Sequence, residues 1–116
     1  MRYTVRLRDI VIGWSDLGRR DRNARVARGE FRPGVGYELV EPIFVLKPED
    51  PHAPDALEKE ARYKRARDTL ALSLHGPDDV MIDTARIDIL RDRSFATTLA
   101  LEASIVDRSF WSGEEL

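Results

Sequence analysis

No cysteine occurs in the 116 residues, which excludes disulfides, thiolate nucleophiles and thiolate metal sites. Histidine is nearly as scarce: His52 stands in a proline-rich stretch and His75 beside a turn, so few bases are at hand to activate a serine or a water. No apolar run approaches the roughly 18 residues that suggest a membrane-spanning helix. The opening Met1-Arg2-Tyr3-Thr4-Val5-Arg6 puts charge where a secretory leader needs apolar residues. The expectation is a cytoplasmic protein without a membrane partner. Lysine is also rare, three against sixteen arginines, a skew that GC-rich, bacterial-like coding produces as readily as selection for bidentate anion binding.

What is present suits one small domain spanning 1–116. Hydrophobic residues make up 42% and charged residues 34%, enough for a modest core under a heavily charged surface. The net charge of −2 hides an uneven distribution. Residues 1–36 carry nine arginines against four acids, and residues 37–60 carry two lysines against seven acids.

Alternation dominates the patterning. Tyr3, Val5 and Leu7, then Ile10, Ile12 and Trp14, alternate with polar residues and predict a hairpin about Arg8-Asp9, pairing Leu7 with Ile10, Val5 with Ile12 and Tyr3 with Trp14. Strand pattern returns at 24–31, 39–46, 70–74, 80–90 with a bulge near Asp83-Thr84, and 95–106. Pro33-Gly34-Val35-Gly36 predicts a turn with positive φ at Gly34. Prolines at 48, 51 and 54 mark 47–54 as a mobile loop. Asp55 followed by Glu58 has capping-box spacing and predicts one charged helix near 55–68 with a thin stripe of Ala56, Tyr63, Ala66 and Leu70. The fold class is α+β, predominantly antiparallel, with about seven short strands in a barrel or sandwich and one helix.

Candidate chemistry is sparse. Ser15 lies between Gly13 and Gly18, but the second glycine falls one residue too late for a nucleophile elbow. Pro33–Gly36 lacks the lysine and third glycine of a phosphate loop. His75, Asp78 and Asp79, with Asp83, carry ligand atoms suited to a divalent cation without an established loop spacing, so they are weak metal candidates. Arg19, Arg20, Arg22, Arg25 and Arg28 form a basic stretch able to contact phosphates, diluted by Asp16, Asp21 and Glu30 and by a pI near 5.7. Phe110 and Trp111 stand on an aromatic and acidic tail, 109–116, and with Trp14 they are the candidate partner-binding residues.

No catalytic residue or cofactor is assigned. The composition points to a non-catalytic protein-binding or assembly module, with a protein partner or self-association. The alternatives are nucleic-acid binding through the arginine stretch, and a small metal-dependent or hydrolytic enzyme.

Overall fold

The computed structural model describes residues 1–112, and these form nine strands, three α-helices and one 3-10 helix. Strands β1 (Tyr3–Leu7), β2 (Ile10–Ser15), β5 (Arg32–Pro33), β6 (Leu72–His75) and β7 (Met81–Ile82) make the first sheet, in the order β5-β2-β1-β6-β7. Strands β3 (Arg19–Asp21), β4 (Val26–Glu30), β8 (Thr84–Arg91) and β9 (Leu99–Ile105) make the second, in the order β3-β4-β9-β8. Every pairing is antiparallel. The fold is therefore α+β as the patterning predicts, but the sheets stay open rather than closing into a barrel. One core joins them, with Val5, Ile12 and Leu74 from the first sheet and Ala27, Ile87, Leu101 and Ile105 from the second.

Phe31 is the corner where the chain leaves the second sheet for the first. It is fully buried, between β4 and β5, and its ring packs 5.5 Å from that of Tyr37. Gly13 makes room for it, since a Cβ there would lie 2.3 Å from the Phe31 ring and 2.5 Å from the Arg32 carbonyl.

The strand count exceeds the expected seven because β5 and β7 are two-residue strands and because β3 forms within the charged stretch, outside the segments with strand pattern. The Arg8-Asp9 hairpin is present with Leu7 opposite Ile10. A bulge between Val5 and Arg6 then shifts the register, so Val5 lies opposite Gly13 and Tyr3 opposite Ser15. Trp14 therefore pairs with Thr4 on the face away from the core. Arg8, Leu17, Arg25, Asp79 and Thr98 adopt positive φ of 47° to 67°, whereas no described glycine does.

The larger correction lies at 34–46. Gly34 has φ −97° and precedes a 3-10 helix (Val35–Leu39), and Glu41–Phe44 form helix α1 where a strand was expected. Tyr37, Val40 and Phe44 are buried while Val45 and Leu46 are exposed, a spacing of three then four residues that belongs to a helix. Pro42 fits because it stands in the first turn, where its missing N–H costs nothing.

Helix α2 (Ala56–Asp68) occupies the predicted span, with Ala56 and Tyr63 as its buried residues. Asp55 stands at its N-cap, but its carboxylate pairs with Lys59 at 3.0 Å instead of capping the backbone. A third helix, α3 (Arg108–Ser112), closes the described chain.

What ties α2 to the second sheet is a buried acid. The Asp88 carboxylate, on β8, accepts hydrogen bonds from the Tyr63 hydroxyl, from Arg86, and from Arg67 at 3.0 Å. Asp88 lies directly opposite Glu102 on β9, a like-charge pairing that alone is unfavourable. Arg86 relieves it by also reaching Glu102 at 3.2 Å, and Arg28 on β4 reaches Glu102 and Asp92 at 2.9 Å each. Burial alone raises the Asp88 pKa, but the bonds from Tyr63, Arg86 and Arg67 bring it below the ordinary carboxylate value. Burial and the neighbouring Asp88 charge push the Tyr63 hydroxyl far upward, so it remains a donor.

Removing this acceptor takes the buried partner from both guanidinium groups, leaving Arg67 with only the exposed Asp68 and Arg86 with only Glu102 among the described residues. Asp88→Ala is expected to cost about 3–5 kcal/mol, against about 1.5–3 kcal/mol for Tyr63→Phe, which removes one bond to the charge. Urea unfolding followed by circular dichroism checks both values, and an Asp88→Ala cost below that of Tyr63→Phe would show the network to be energetically idle.

Candidate binding cleft

Strand β8 is an edge strand: among the described residues it pairs within its sheet only with β9. Helix α1, the connection after it and the first turns of α2 lie outside its C-terminal half and enclose a cleft of about 990 Å³. Tyr37, Phe44, Ile89 and Leu99 supply an apolar lining. Around them stand Arg28, Lys47, Lys59, Arg62, Arg91 and Arg93, against two lining acids among the described residues, Glu41 and Glu49. Although the chain is acidic overall, the cleft is a cationic concavity with apolar walls.

The cations differ in how firmly they are held. Arg28 is committed to Glu102 and Asp92. Lys47 reaches Glu60 at 3.2 Å, and its ammonium lies 5.1 Å from the centre of the Tyr63 ring. Lys59, Arg62 and Arg91 make only solvent-exposed pairs, with Asp55, Glu58 and Glu49, of the kind that contributes little net energy and exchanges readily. Arg93 has no ion pair or hydrogen bond among the described residues.

The arginine stretch read from the sequence does not converge on one face. Arg19 lies opposite Arg28 on the outer side of the second sheet, its guanidinium 5.3 Å from the Phe95 ring. Arg20 turns the other way, donating to the Leu17 carbonyl at 3.2 Å and to the Tyr3 hydroxyl at 3.0 Å, and stacking 4.4 Å from Phe110. Arg22 and Arg25 lie in the turn between β3 and β4. Only Arg28 of the five lines the cleft.

Of the aromatic candidates, Trp111 is buried against its own domain, and its indole N–H donates to the Ile105 carbonyl at 2.8 Å. Phe110 makes edge contacts with Tyr3 and Trp111. Trp14 is half-buried on the outer face of the first sheet, with the Arg2 guanidinium 4.7 Å from its ring. The acidic end of the tail, 113–116, lies outside the described residues.

Among the weak metal candidates, His75 Nε2 is 2.9 Å from the Ser73 hydroxyl, Asp79 pairs with Arg6, and Asp78 accepts from the Val80 N–H at 3.2 Å. Among the described residues no three potential metal ligands converge. Ser15 is buried and its hydroxyl accepts from the Leu17 N–H at 3.1 Å, which makes it a local turn former.

The sequence reading missed the cleft altogether. Its walls come from Arg28 and from segments 37–49, 59–62 and 89–99, and no local pattern brings these together. The helical spacing of Tyr37, Val40 and Phe44 was the available signal for one wall. Comparison with protein-family models, with curated proteins and with solved structures gives no match, so the cleft is read from its own chemistry.

Two measurements follow. Trp111→Ala should cost about 3–5 kcal/mol in chemical denaturation, as expected for a fully packed indole; a loss under about 1 kcal/mol would mean that the indole is not a structural anchor. Asp92 is held at about 2 by the Ser94 hydroxyl and N–H and by Arg28. A depressed folded pKa gives stability that is present above the unfolded value, about 3.9, and is lost as the pH falls through the folded one. Stability should therefore decline between pH 4 and about 2, more steeply in the parent than in Asp92→Asn. Identical slopes in acid titrations at constant ionic strength would contradict this.

Proposed function

We propose that the protein is a non-catalytic protein-binding module whose cleft receives an acidic segment of a partner. The observation that carries this reading is the pairing of apolar walls with rim cations, Lys59, Arg62 and Arg91, whose pairs are solvent-exposed and exchangeable. Tyr37, Phe44, Ile89 and Leu99 offer burial, while Arg91 and Arg93 offer charge. The Arg91–Glu49 pair, 3.1 Å long, gives the pattern of recognition in miniature: a carboxylate of the chain's own connecting segment occupies a rim guanidinium that a partner's carboxylate would take over. Arginine suits such a place because its planar fork meets a carboxylate in bidentate fashion and is less strongly hydrated than an ammonium.

The complex should be steered by charge and weaken with salt. On an array of decapeptides varying in acidic, basic and apolar content, the protein should be retained by acidic peptides that also carry large apolar side chains. The double variant Arg91→Glu/Arg93→Glu should lose at least about tenfold in affinity, or about 1.4 kcal/mol. Glu49→Gln, which frees Arg91, should bind about two- to fivefold tighter. Retention that ignores acidity, or that survives the double charge reversal, would remove the cleft as the site. Retention on single-stranded RNA that depends on Arg19 and Arg25 and not on Arg91 and Arg93 would replace this reading with nucleic-acid binding.

A further inference from the structure

The backbone of β8 adds something that the charge of the cleft does not. On β9, the Leu99 carbonyl accepts from Phe31 N–H and the Ile105 N–H donates to Arg25, both at 2.9 Å, so odd-numbered residues of β9 direct their backbone groups toward β4. Its even-numbered residues then serve β8, where Ala100, Glu102 and Ser104 lie opposite Leu90, Asp88 and Arg86. The Asp92 N–H, donating to Thr98 at 2.9 Å, continues that alternation. By elimination Ile87, Ile89 and Arg91 point their N–H and C=O groups out of the open edge. No backbone hydrogen bond from another described element reaches them.

Two of these residues line the cleft. Ile89 and Arg91 are among its walls, whereas Ile87 lines a smaller cleft of about 280 Å³. Between the two, Tyr63 and Arg67 reach the Asp88 side chain on the face of the sheet. A helix laid in the larger cleft has no backbone groups to offer Ile89 and Arg91. An extended segment has them at the strand spacing, and its alternating side chains would meet two different surfaces.

With the cleft taken as the binding site, we propose that its occupant is an extended acidic segment of a partner protein, added to β8 as a fifth strand of the second sheet. Its main chain pairs with Ile89 and Arg91. One set of alternate side chains, apolar, turns toward Tyr37, Phe44 and Leu99, and the other, acidic, toward Arg93, Lys59 and Arg62. The free backbone groups fix the occupant's conformation, and Arg93, without an ion pair among the described residues, favours its charge.

The test uses the full chain and a pool of acetylated heptapeptides with glutamate at alternate positions and valine, isoleucine or phenylalanine between them. Two further pools carry N-methyl groups on the glutamate amides or on the apolar amides. Strand addition leaves one set of amides facing β8 and the other facing solvent, so one methylated pool should lose more than about tenfold in affinity while the other stays within about twofold of the parent. Hydrogen exchange by NMR should slow at the Ile89 and Arg91 amides on binding of the parent pool. Equal effects of the two methylations, or binding without protection of those amides, would overturn strand addition and leave the cleft standing. Failure of the unmodified pool to bind, or binding unaffected by Arg91→Glu/Arg93→Glu, would overturn the cleft itself.

Discussion

Taking a carboxylate out of water costs several kcal/mol even after relaxation, and Asp88 is only 3% exposed. The structure meets that cost with donors from two directions: Tyr63 and Arg67 from α2, and Arg86 from its own strand. Because α2 has only a thin buried stripe, apolar contact alone would hold it weakly. Asp88 gives it a fixed position along β8, and with α2 fixed, α1 and the connecting segment must cross the end of the same strand. The cleft is thus a product of where one buried charge anchors a helix.

The same chemistry serves two purposes at different depths. In the network from Asp88 through Glu102 to Asp92, each cation is shared between acids and the geometry is over-determined. At the rim, ion pairs such as Arg62–Glu58 and Arg91–Glu49 are single and solvated. Shared, desolvated pairs resist substitution because removing one member leaves the others uncompensated, while solvated pairs can be replaced at little cost. A surface with both kinds can offer charge to a partner without giving up the contacts that shape it.

Much of the β framework was legible because alternation survives in single strands: 3–7, 10–15, 72–75, 84–91 and 99–105 all carry it. The bulge at Val5/Arg6 was not, since alternation alone does not show where one residue is skipped in the pairing, and its consequence was to move Trp14 to the outer face. At 39–46 the β-rich composition of Ile43-Phe44-Val45-Leu46 outweighed the helical spacing of the residues that are buried. Asp88 was illegible for a different reason. Between Ile87 and Ile89 it has the pattern of a solvent-facing strand residue, and only the arrival of Tyr63 from 25 positions away makes that face an interior. The arginine stretch does not present one face, because strand alternation sends Arg19 and Arg20 to opposite sides of β3.

Phe31 gives the two sheets a mechanical connection. The chain crosses from one to the other in a single buried residue, with Gly13 and Tyr37 against its ring and no slack in between. A load that pulled the sheets apart would act on this buried ring directly, because no loop lies between β4 and β5 to lengthen. Together with the equally short crossing at Asp83 between β7 and β8, the corner acts as a rivet between the two sheets.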